Sequence, residues 1–253
     1  MRSIKNDNDI LKTIVDCAML YHTQLENKNL LFLFNVDQPK RTKNISYIET
    51  LFEDSNFLHL TGTKSIKNSN GKNQFSTASL YNAALNGKLN LKDLVITPSA
   101  KQKLSILDDL MKIEKSCKNI GDFKYDPEKP KLVAEKVVGT VHFCMGFVLD
   151  KKTKYFYVPD TALKMNIDDI TNTNTKILMI LKKDKDDKKY KHITYISNYF
   201  DLKELNNLKL DNYNLIDFNS LEFVNKNDIK NVQKVQKYIE SICEVKKWDG
   251  EEL

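Results

Sequence analysis

The feature that most constrains this chain is a change of period along it. As far as Asn119 most apolar residues recur at helical spacing. From Ile120 to Ser197 they fall in short runs split by turn signals, and then helical spacing returns. The first segment, "NDILKTIVDCAMLYHTQL", sets Ile10, Leu11, Ile14, Val15, Ala18, Tyr21 and Leu25 on one helical face, with Asp7 or Asn8 to cap it. "NLLFLFNV" reads as a buried strand, "SYIETLF" as its hairpin partner, and "SNFLHLTG" as a short helix ended by Gly62. "TKSIKNSNGKNQ" is a polar loop, and "STASLYNAALNGKL" and "KQKLSILDDLMKIEKSCKN" are two more amphipathic helices. The later strands are "IGDFKY", "KLVAEKVVG", "TVHFCMGFVLD", "KYFYVP", "TKILMILKK" and "KHITYIS", with turns at Asp126-Pro127, Gly139 and Asp150-Lys151.

Helices first and strands later predict an α+β fold. The expectation is N-terminal helices packed on an antiparallel sheet of about four to six strands, followed by a C-terminal helical extension. The boundary falls near residue 200, with a main domain over 1–200 and the extension over 201–253. In that extension Ile229, Val232, Val235, Ile239 and Ile242 form a stripe, suited to docking on the main domain or on a partner.

The net charge of +6 leans basic, and all but two of the 40 basic residues (Arg2 and Arg41) are lysines. Lysine is a flexible point charge that suits phosphate better than bidentate reading of bases. An AT-rich genome would produce the same bias. Cys17, Cys117, Cys144 and Cys243 lie far apart without a C-x-x-C pair, so neither a zinc site nor a disulfide framework is indicated, and reduced thiols in a cytoplasm are expected. The N-terminus lacks a signal-peptide core, and "LLFLF" is far too short to cross a bilayer. There is no phosphate-binding G-x-x-x-x-G-K-[ST], no H-E-x-x-H and no EF-hand loop. Asp168 and Asp169 are adjacent and would diverge in a strand, which argues against a two-metal nuclease.

"FLHLTG", "SLYNAALNGKL", "IGDFKYDPEKPKLVAEKVVG", "CMGFVLDKKTKYFYVP" and "TKILMILKK" resemble, in that order, a phage-associated nuclease-like family. That family is grouped with barnase, EndoU, the tRNA-cleaving colicins and RelE. The resemblance runs over roughly residues 8–197. It implies helices packed on about four antiparallel strands. It also implies a metal-independent ribonuclease, often a toxin or weapon of a phage or mobile element, needing no cofactor.

Metal-independent RNA cleavage needs a base for the 2′-hydroxyl proton, an acid for the leaving 5′-oxygen, and fixed positive charge on the phosphorane. His59, carried over from the family's F-x-H-L-T-G word, is the first candidate for acid or base. Phe57, Leu58 and Leu60 can hold it, Thr61 can orient its ring, and Thr61 and Lys64 are RNA-binding candidates in the same stretch. The bland alternative is a core histidine at a helix end. Lys136 shares a strand face with Leu132, Ala134 and Val138, which suits a phosphate contact or a lysine snorkelling at the sheet rim. Tyr81 and Lys88, on one helical face with Leu85, are RNA-binding candidates against the plainer reading of core tyrosine and solvated lysine. His142 falls with Cys144 and Gly146 on the face opposite Met145 and Phe147, and is the candidate second catalytic histidine. Tyr155 and Tyr157 alternate onto one strand face and can stack a base. His22 and His192 read as surface residues.

The expected activity is thus a cytoplasmic endoribonuclease acting on RNA, tRNA included, through a 2′,3′-cyclic phosphate. Its expected partners are RNA and an antitoxin or host-defence protein, with no membrane partner. The rival is a catalytically inactive nuclease-like protein that blocks a host defence complex or holds nucleic acid. Fold alone does not separate the two.

Overall fold

The structure is a computed structural model, and it describes residues 1–36, 44–125, 134–207 and 215–248. The expected turn at Asp126-Pro127 and the face position of Leu132 lie outside the described residues. The helices are α1 (Asp7–Gln24), α2 (Phe57–Thr61), α3 (Thr77–Leu85), α4 (Ala100–Leu110), α5 (Ile113–Ser116), α6 (Ile167–Ile170) and α7 (Ile229–Trp248). The strands are β1 (Lys28–Val36), β2 (Asn44–Leu51), β3 (Thr63–Ser65), β4 (Leu94–Ile96), β5 (Asn119–Phe123), β6 (Lys136–Gly139), β7 (Cys144–Leu149), β8 (Tyr157–Leu163), β9 (Thr171–Asp184), β10 (His192–Ile196) and β11 (Glu222–Phe223).

The fold is α+β, but the sheet exceeds the expected four to six strands. Nine strands pair in the order β1-β2-β8-β7-β6-β5-β9-β10-β11, and β1 also pairs with β9, so seven of them close into a ring of pairings. Nor is the sheet wholly antiparallel, because β2 runs parallel to β8 and β10 parallel to β11. Local patterning identified the strands β5 to β10. It carries no information on the long-range pairing that recruits β1 and β2, and the two residues of β11 are too few to show a period.

The chain forms two compact units, Met1–Lys28 with Glu49–Lys176, and Asn29–Ile48 with Ile177–Leu253. In the first unit α1 is capped by Asn6, not by Asp7 or Asn8. The Asn6 side chain accepts from the Asp9 N–H at 3.0 Å, and the Asp9 carboxylate accepts from the Asn6 N–H at 3.2 Å. Ile10, Ile14, Ala18 and Tyr21 of its apolar face are buried. The third amphipathic segment is broken into α4 and α5 at Met111 and Lys112. The unit's core centres on five rings. Tyr21 lies 5.4 Å from Phe57 and 5.7 Å from Tyr81, and Phe57 lies 5.1 Å from Tyr81. Phe52 joins Tyr21 at 6.3 Å and Phe147 of β7 at 6.2 Å. All are fully buried, so this cluster anchors α1, α2 and α3 together.

In the second unit Met179 and Leu181 of β9, Ile193 of β10, Phe223 of β11 and Phe200 share a core with Val235 and Tyr238 of α7. Val232 and Ile239 pack against it, so the α7 stripe docks in cis, while Ile229 stays exposed. The side chain of Ile242 lies outside those described. Among the described residues no helix is long and apolar enough to cross a membrane.

Candidate active site

The first unit carries a cavity of about 670 Å³, and His59 lines it. The local sequence explains why. In α2 the residues Phe57, Leu58, Leu60 and Thr61 are buried, and His59 is the exposed one. The helix stops at Gly62, whose left-handed φ of 73° favours glycine. Glycine is needed there for a second reason. A Cβ at Gly62 would stand 2.9 Å from the Ala100 Cα, so its absence lets the start of α4 approach. Beyond Gly62 the chain turns into β3, which pairs antiparallel with β4, and the Thr97 hydroxyl after β4 donates back to the Gly62 carbonyl.

That approach of α4 brings in Lys103. Its ammonium donates to the Thr161 hydroxyl at 2.9 Å and reaches the His59 carbonyl at 3.4 Å. Burial lowers the Lys103 pKa below the ordinary lysine value; nearby Asp160 opposes the shift and nearby Lys64 adds to it. Thr161 is itself buried on β8, opposite Gly146 of β7. A Cβ at Gly146 would meet the Thr161 methyl at 2.8 Å, so the room that Gly146 leaves is used by Thr161. Lys64, Lys67 and Asp160 complete the charged lining. The cavity therefore joins one imidazole, three ammonium groups and one carboxylate.

The expected site residues divide as follows. His59 and Lys64 come together in the cavity. Thr61 lies buried just behind it, with its hydroxyl donating to the Leu58 carbonyl at 2.7 Å and accepting from Thr63. That proton is spent on the α2 backbone and not on the His59 ring. The other six do not line the cavity. Tyr81 is a core residue whose phenol donates to the Glu26 carboxylate at 2.9 Å; burial and Glu26 push its pKa up. Lys88 is exposed just past the end of α3. Lys136 pairs with Asp122, its cross-strand neighbour on β5, and lies near Tyr157 at the start of β8. Tyr155 is in the turn before β8, edge-on to Phe156 at 5.1 Å. His142 is exposed in the β6–β7 turn, where its N–H donates to the Thr140 hydroxyl at 3.0 Å; it is not on the strand face with Cys144 and Gly146.

The residue that sequence reading missed is Lys103. A signal existed, since Lys103 sits at i+3 from Ala100 and i−4 from Leu107, both buried, and so interrupts the apolar stripe of α4. Among the described residues no group of three or more His, Cys, Asp or Glu side chains is placed to hold a metal ion.

An imidazole set among lysines can move a proton and hold an anion, which is the chemistry that RNA cleavage needs. The family comparison agrees. The chain belongs to the phage-Barnase-EndoU-ColicinE5/D-RelE like nuclease4 family, whose model matches residues 13–198. That span runs from α1 through β10 and includes the whole cavity. No curated protein and no solved structure gives a significant match to the chain.

Proposed function

We propose that the chain is a metal-independent endoribonuclease of a phage or mobile element, and that the His59 cavity is its active site. One observation carries this reading. Burial holds the Lys103 pKa down beside His59, with Lys64 adding to the shift and Asp160 offsetting part of it, and Lys64 and Lys67 line the same wall. Two like charges kept together in a partly desolvated wall gain most when an anion enters between them. A backbone phosphate is that anion.

In this reading Lys103 and Lys64 bind the scissile phosphate and stabilise charge on its oxygens as the phosphorane forms. Proton transfer falls to the cavity's two suitable groups, His59 and Asp160. One takes the proton of the 2′-hydroxyl as that oxygen attacks phosphorus. The other protonates the 5′-oxygen as its bond to phosphorus breaks. The products are a 2′,3′-cyclic phosphate and a free 5′-hydroxyl. Histidine suits either half because imidazole titrates near neutrality.

A second reading has a specific observation in its favour. Lys136 and His142, two of the three catalytic residues expected from sequence, are absent from the cavity lining. A protein that grips RNA with the same lysines, without turnover, would block a host defence complex or sequester nucleic acid.

Lys103→Met separates these readings from a structural role. The lowered pKa means the folded protein holds the Lys103 proton less tightly than the unfolded chain does. Protonated Lys103 therefore opposes folding at neutral pH, and the opposition fades as pH rises through its folded pKa. The variant is expected to hold or raise the thermal midpoint while losing about 10²–10³-fold in kcat/KM on RNA. Calorimetry beside an RNA cleavage assay checks both. Unchanged cleavage would remove Lys103 from the mechanism, and RNA binding without cleavage by the wild type would favour the second reading.

A further inference from the structure

The cavity wall suits phosphates almost throughout, yet it contains one phenyl ring, that of Phe75. Phe75 is only half-buried, although it lies between two ordered elements. Its position is fixed from both sides. Its N–H donates to the Ser65 hydroxyl at 2.9 Å, and the Gln74 N–H donates to the Ile66 carbonyl at 2.8 Å. Ser76 after it caps α3. An apolar residue just before an N-cap commonly packs on the fourth helical residue, here the buried Leu80. Phe75 occupies that position, and its ring remains partly exposed in the cavity wall. The loop leading to Phe75 is a tied hairpin, closed at its tip by the Asn68 N–H on the Lys72 carbonyl at 2.8 Å, and it places Lys67 and Asn73 in the same wall.

We propose that Phe75 is a stacking platform for an unpaired base beside the scissile phosphate, and hence that the substrate is single-stranded RNA. This rests on the nuclease reading of the cavity. A base inside a duplex has its faces covered by its neighbours and cannot lie on a wall ring. An unpaired base can, whatever its identity, because every base has a π-face. The lysines of the wall hold the phosphate, and the ring sorts unpaired strands from paired ones.

The test measures binding by fluorescence anisotropy in a His59→Gln background, with three labelled probes. These are oligouridylate, an abasic ribose-phosphate chain of the same length, and an RNA duplex. The duplex is expected to bind more weakly than oligouridylate. Phe75→Ala is expected to weaken oligouridylate by about 5- to 150-fold, the range that base–aromatic stacking spans, and to leave the abasic chain unchanged. Phe75→Leu, which keeps an apolar staple, should lose as much, and Phe75→Trp should keep the affinity. Equal weakening of oligouridylate and abasic chain would overturn the inference, since a merely structural role predicts that. So would full affinity in Phe75→Ala. If the wild type cleaves RNA and Phe75→Ala cleaves it equally well, the stacking role alone falls. If the wild type neither binds nor cleaves RNA, the nuclease reading falls and takes this inference with it.

Discussion

His59→Ala is expected to cut RNA cleavage by about 10²–10⁴-fold, the range for losing one positioned acid or base. Its fold should be untouched. His59 is the exposed residue of a helix whose other four members are buried, so removing its ring leaves no cavity in the core. The Lys103 bond also survives, because it is made to the His59 backbone carbonyl and not to the ring. Cleavage rates and a thermal melt together check this. Loss of activity with an unchanged melt assigns the chemistry to the imidazole. Full activity would remove His59 from it.

Phe57→Ala has the opposite signature. Its ring is fully buried against Tyr21 and Tyr81, and the helix it anchors carries His59. Truncating a buried phenylalanine costs about 3–5 kcal/mol through lost burial and the cavity left behind. That is a large share of the stability of an ordinary domain, about 5–15 kcal/mol. Denaturant unfolding should show the loss, and cleavage should fall with the folded fraction. A variant as stable as the wild type would mean that the five-ring cluster does not anchor α2.

These two neighbours show what the sequence makes legible. Phe57, His59 and Gly62 belong to one short word, and that word contains its own physics. Apolar residues flank the histidine, and a glycine ends the helix, so an imidazole at a helix end is legible there, while its exposure is not. Lys103 is not legible in the same way because its partners are remote, 44 residues away at the His59 carbonyl and 58 at the Thr161 hydroxyl. Local pattern shows only a lysine interrupting an apolar stripe. Asp160 and Thr161 were hidden by Pro159. Proline commonly marks a strand's end, but β8 continues through it to Leu163, opposite a register shift at Gly146 and Phe147. The turn that carries His142 is hidden from local pattern for a related reason. Alternation ran on through "TVHF", whereas the Thr140 hydroxyl accepts from the N–H groups of His142 and Phe143 and forms a turn there. The size of the sheet is invisible to local pattern because the pairings that close its ring join residues far apart in sequence, such as Thr50 with Tyr157.

The most direct test of the central claim is the chemistry of the RNA ends. Wild-type protein would be incubated with total RNA and with tRNA in EDTA, and the products analysed by mass spectrometry. Cleavage that persists in EDTA and leaves 2′,3′-cyclic phosphate and 5′-hydroxyl ends is the expected result, since the 2′-oxygen is the nucleophile. Ends carrying a 3′-hydroxyl and a 5′-phosphate, or cleavage abolished by EDTA, would contradict it, because either would place the nucleophile or the positive charge outside the His59, Lys64 and Lys103 cavity.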